Sequence, residues 1–207
     1  MRFPRVLVAL ALLSLPSAAF AGKVDPLPTI VLTGISQFDG VFGQAKDIQD
    51  KLKSETETLA KARTDSNTVL GIANAEAFAG ALAELQKKAE HKIKVISDGG
   101  IPKLNPEAAV PDDVQKGIDA VNGLISAANH TITTATGLKT DATQLASACS
   151  AFPGQVPSLV SNPLEVVKKG KVVGDDTKAT GALPDRLQLL IDEASKIVSD
   201  VQAAFAG

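Results

Sequence analysis

Apolar positions recur at spacings of three and four along most of the chain, the signature of one buried helix stripe. The first stripe runs Val31, Ile35, Phe38, Phe42, Ala45, Ile48, Leu52 and Leu59. The stretch 64–74, TDSNTVLGIAN, either continues this helix or turns, with Asn74 as an N-cap for the next. The second stripe is Phe78, Leu82, Leu85, Ala89, Ile93 and Ile96, and Ser97-Asp98-Gly99-Gly100 should stop that helix. Residues 101–111 hold three prolines and read as a loop. Pro111-Asp112-Asp113 then opens a third helix, because proline fits the first turn and acids suit its positive end. Its stripe is the longest and most regular, from Val114 through Ile118, Val121, Ile125, Ala128, Ile132, Ala135 and Leu138 to Leu145.

The pattern breaks after Ala146. Pro153, Pro157, Pro163 and Pro184 punctuate the following stretch, with Gly154, Gly170, Gly174 and Gly181 between them. Short helical turns are expected at Ser158–Val160 and Leu164–Lys169, within an otherwise irregular excursion. A last helix is expected from Pro184-Asp185, with the stripe Leu187, Leu190, Ile191, Ala194, Ile197, Val198, Val201 and Phe205. These elements predict an all-α fold. It is an antiparallel bundle of three to four long amphipathic helices with a Pro/Gly-rich irregular segment before the last one. The corresponding divisions are a leader at 1–21, a helical bundle at 22–146, the irregular segment at 147–183 and the C-terminal helix at 184–207.

The leader has its own pattern. Arg2 and Arg5 precede the uncharged run Val6–Leu15, then Pro16, then the small residues of Ala19-Phe20-Ala21. This is the three-part plan of a secretory signal, with cleavage expected between Ala21 and Gly22 and export to the periplasm or the medium. The apolar run is too short to span a bilayer, and no later stretch reaches about 20 apolar residues, so no membrane span is expected in the mature chain. The string AAFAG at 18–22 returns at 203–207, and AFAG occurs at 77–80. Small residues around one Phe suit a peptidase groove, a tight helix contact and a helix end alike, and no longer repeat accompanies them.

Composition narrows the function classes. Loss of Arg2 and Arg5 with the leader takes the formal charge from −2 to −4. Trp and Tyr are absent. A mildly acidic chain with so few aromatic rings argues against nucleic acid as a partner. Cys149 is the only cysteine, so it makes no internal disulfide. It is a small buried hydrophobe or the site of an intermolecular bond.

The search for chemistry finds little. His91 and His130 have no second ligand at zinc-binding spacing, and no nucleophile elbow, phosphate loop or dinucleotide fingerprint occurs. No cofactor is implied. Asp112-Asp113 reads as a helix start and Asp175-Asp176 as a loop or weak cation contact. Lys87, Lys88, Lys92 and Lys94 are offset by Glu84 and Glu90. Lys168, Lys169 and Lys171, flanked by valines, are less well neutralised and suit an anionic lipid or an acidic partner. Asn129-His130-Thr131 matches the glycosylation pattern but falls inside a helix. The expected function is therefore non-enzymatic: a structural or partner-binding role, through another protein or self-association. The alternatives are a binder of acyl chains or hydrophobic surfaces, with Phe38, Phe42, Phe78, Ile125 and Leu187 as lining, and an exported hydrolase with an unrecognised site.

Overall fold

The computed structural model describes residues 27–72 and 77–206. The expected leader, its expected cleavage between Ala21 and Gly22, and the expected cap Asn74 lie outside the described residues. The described chain is mostly helical. Helices α1 (Ser36–Leu70), α2 (Phe78–Lys88), α3 (Asp112–Cys149), α4 (Phe152–Leu159) and α5 (Pro163–Ala204) accompany one hairpin, β1 (Ile93–Asp98) and β2 (Ile101–Pro106).

The entry to α1 is fixed by one carboxylate. Asp39 accepts hydrogen bonds from the Thr33 amide at 2.7 Å, the Thr33 hydroxyl at 2.8 Å and the Gly34 amide at 3.1 Å. It thus ties the two residues ahead of the N-cap Ile35 back onto the helix, and it sits in the first turn where a negative charge is favourable. The ambiguous stretch after Arg63 is helix to Leu70. Gly71 then adopts a left-handed conformation, φ 69°, and the amides of Gly71 and Ile72 return to the carbonyls of Thr68 and Asn67. That pair of bonds is a Schellman stop, which glycine permits without a Cβ clash.

The second expected helix is cut short. α2 ends at Lys88, and the chain turns through Glu90 and His91, both at positive φ, into the hairpin. Ile93 and Ile96 are therefore strand residues, and 101–106 is a strand instead of a loop. The physical reason is Gly99-Gly100, at φ 60° and 88° between the paired residues Asp98 and Ile101. Two consecutive positive-φ residues make the tight turn whose twist matches antiparallel strands. Val95 and Leu104 face each other across the ladder, and Ile93 and Leu104 are buried. Asn122 of α3 clamps the hairpin: its amide group donates to the Leu104 carbonyl at 2.9 Å and accepts the Leu104 amide at 2.7 Å.

The larger correction concerns 147–183. This stretch is not an irregular excursion: α4 occupies its start, and α5 runs unbroken from Pro163 through Pro184. Pro153 and Pro163 sit in first turns, where a missing N–H costs nothing. The Asn162 side chain caps α5 by accepting the Leu164 amide at 3.0 Å. Further along, Val173, Ala179, Leu183 and Leu187 are buried, and their packing outweighs the weak propensity of Gly170, Gly174 and Gly181.

α3 has its most extensive contact with α5 and its next with α1. Glu55 meets Thr131 and Leu70 lies beside Gly117, so numbering rises along α1 as it falls along α3. Lys139 meets Gln188 and Cys149 meets Thr177, which gives the same relation between α3 and α5. Phe152 of α4 plugs one end of the core, stacked on Phe38 at 4.3 Å and edge-on to Phe42 at 5.6 Å.

Candidate contact surface

The segment ahead of α1 is strapped between α1 and α5. Gln49 accepts the Ile30 amide at 3.1 Å and donates to the Pro28 carbonyl at 2.8 Å. The Val31 amide donates to Asp176 at 3.2 Å, and the Lys169 ammonium donates to the Gly34 carbonyl at 3.3 Å. Ile30 is fully buried by this arrangement, which leaves Val31 and Leu32 facing outward, Leu32 at 62% exposure.

This strap adjoins the corner between α4 and α5. Gly34, Gln37, Leu159, Val160 and Lys169 share a shallow cavity of about 520 Å³. Beside it, the first turns of α5 carry Leu164 at 75% and Val167 at 73% exposure. Lys168 and Lys171 are also exposed, and spacings of three and four place all four side chains on one outer face. Lone exposed apolar residues are ordinary, whereas Leu164 and Val167 lie one helical turn apart on the same face. Across 159–171 three lysines stand against the single acid Glu165, in a chain of formal charge −2. Only Lys169 is partly withdrawn, between Gly34 and Glu165.

Beneath the corner lies a buried polar centre. Asp176, read from sequence as a loop or weak cation contact, is inside α5 and only 2% exposed. One carboxylate oxygen takes the Val31 amide, and the other has no hydrogen-bond partner among the described residues. Burial pushes its carboxyl up from the ordinary value; the Val31 bond works against this, and nearby Asp175 and Asp39 add to it. Cys149 is fully buried next to the same helix, where burial raises its thiol pKa. An intermolecular disulfide there requires the α3–α5 contact to open.

The other expected site residues scatter. Phe38, Phe42, Ile125 and Leu187 are buried core. Phe78 is buried core as well, and it lines a cavity at the far end of α5. His130 lies 3.5 Å from Glu55, and His91 sits in the turn before the hairpin. Among the described residues no three His, Cys, Asp or Glu side chains gather as a metal-binding group, and no helix is long and apolar enough to cross a membrane. Leu159, Leu164 and Val167 fall in the short helical turns expected within the irregular stretch, and too short a turn shows no common face. The cap Asn162-Pro163 followed by Leu164, Val167, Lys168 and Lys171 at helical spacing was the signal for them. No known family, curated protein or solved structure matches the chain.

Proposed function

We propose that the mature chain is an exported, non-enzymatic helical protein whose three long helices form an antiparallel bundle, and that it attaches reversibly to anionic lipid surfaces. The observation that carries this reading is the α4–α5 corner, where Leu164 and Val167 project from the fold beside Lys168 and Lys171. Inserting apolar side chains contributes about 1.5–3 kcal/mol each when fully buried. Each lysine near an anionic surface adds about 1 kcal/mol. A gross gain of a few kcal/mol, reduced by the cost of association, describes a weak peripheral contact instead of an anchor. The local lysine excess favours a lipid surface over an apolar protein partner, for which the lysines have no evident role.

Co-sedimentation tests this reading. The mature chain should pellet with vesicles containing phosphatidylglycerol and stay in solution with pure phosphatidylcholine. Binding should fall as salt rises, because the lysines act through a screened field. The double variant Leu164→Ser/Val167→Ser should remain folded and lose binding. Retention of binding by that variant contradicts the reading. No binding, together with a concentration-dependent dimer, favours self-association through the same corner.

A further inference from the structure

A second cavity, of about 630 Å³, lies at the other end of α5 between that helix and α2. Two of the repeated strings frame it: Phe78 and Ala79 of AFAG line one side, and Ala203 and Ala204 of AAFAG the other. Methyl side chains leave open a slot that larger ones would fill, and Phe78, Leu124 and Ile197 give it an apolar floor. Its volume is within the range of small-ligand sites, roughly 300–1,000 Å³. Arg63 stands in the wall, 23% exposed, with its guanidinium 3.3 Å from the Glu193 carboxylate at 21% exposure.

We infer that this groove takes an alkyl carboxylate, with the ligand's carboxylate replacing Glu193 as the partner of Arg63 and its chain lying along Phe78, Leu124 and Ile197. The charged lining is balanced, Arg63 and Lys196 against Glu193 and Asp200, so an anion enters by displacing one of the two acids. Arg63 is held by one carboxylate that reaches it from another helix, and Lys196 on the rim is already paired with Asp200 at 2.6 Å on its own helix. A partly withdrawn guanidinium presents a planar pair of donors that match a carboxylate. Burial pushes the Glu193 carboxyl above its ordinary value against the pull of Arg63, so desolvation offsets part of the attraction in this pair. The inference is independent of the lipid-contact corner, which shares none of these residues.

The test measures dodecanoate binding to the folded mature chain by calorimetry, with dodecanol as the uncharged control. Saturable binding of one dodecanoate per chain is expected, and weaker binding of the alcohol. Glu193→Gln should bind more tightly than the parent, because the competing charge is gone. Arg63→Met should bind about tenfold less tightly or worse, the scale of one charged hydrogen bond. Ala83→Leu, which narrows the slot without touching the ion pair, should also weaken binding. A merely structural ion pair predicts that Arg63→Met and Glu193→Gln shift binding in the same direction, and that result overturns the inference. So does an absence of saturable binding, or dodecanol binding as tightly as dodecanoate. If Arg63→Met does not fold, the opposite signs expected for Glu193→Gln and Ala83→Leu decide the matter.

Discussion

Two desolvated acids act in the same direction on the stability of this fold. Asp176 and Glu193 are both acids whose burial raises their pKa above the ordinary carboxylate values. An acid raised in the folded state binds its proton more tightly there than in the unfolded chain. Its stabilising effect is complete below the unfolded pKa and is lost as pH rises through the folded pKa. Stability should therefore decline as pH climbs above the ordinary carboxylate range, to the extent that these two groups dominate it. Asp176→Asn keeps an acceptor for the Val31 amide and removes the buried charge. It should raise stability near neutral pH by about 1 kcal/mol and flatten the pH slope, as read by urea unfolding at several pH values. An unchanged slope in the variant would assign the pH dependence to other groups. Exposed Leu164 is the contrast: Leu164→Ser should leave stability within about 0.5 kcal/mol.

Elements follow the hydrophobic pattern where packing and propensity agree, and depart from it where they conflict. The stripe of α1 was legible because charged helix-formers and regular spacing point the same way, and that of α3 because its spacing is long and regular despite its threonines and glycines. α5 was half-legible: Leu187 to Val201 announced it, but the prolines and glycines before Pro184 hid its first half. Those residues report only local preference, while Val173, Ala179 and Leu183 are held by tertiary burial that no local rule weighs. The hairpin was hidden differently. Ile93 and Ile96 fit a helical stripe, so Gly99-Gly100 read as a helix stop instead of a strand turn. Two substitutions separate these readings. Pro184→Ala should raise the melting temperature, since an interior helical proline costs about 3 kcal/mol or less where neighbours compensate. If the chain before Pro184 were irregular, the gain would be absent. Gly99→Ala/Gly100→Ala should destabilise by about 1–2 kcal/mol per residue forced left-handed, seen as faster amide exchange across β1 and β2.

At the scale of the molecule, the two ends of α5 carry the features that the core does not explain. One end leaves apolar and basic side chains outside the fold, and the other leaves a slot between alanines beside a half-buried ion pair. Each was legible only in part, one through Lys168, Lys169 and Lys171 and the other through Phe78. The lysines at 168–171 were visible, but their apolar neighbours became meaningful only once α5 placed them on one face. The five residues expected to line a ligand site are the kind most typical of a core, and all five are buried core, Phe78 also lining the cavity between α2 and α5. The chain contains no tryptophan, so one introduced indole reports its own surroundings alone. Leu164→Trp, mixed with phosphatidylglycerol vesicles, is the most direct measurement, with Leu189→Trp on another exposed part of α5 as its control. The account predicts a blue-shifted emission and quenching by brominated lipid at position 164 and none at position 189. Unchanged emission at 164, or equal shifts at both positions, contradicts it.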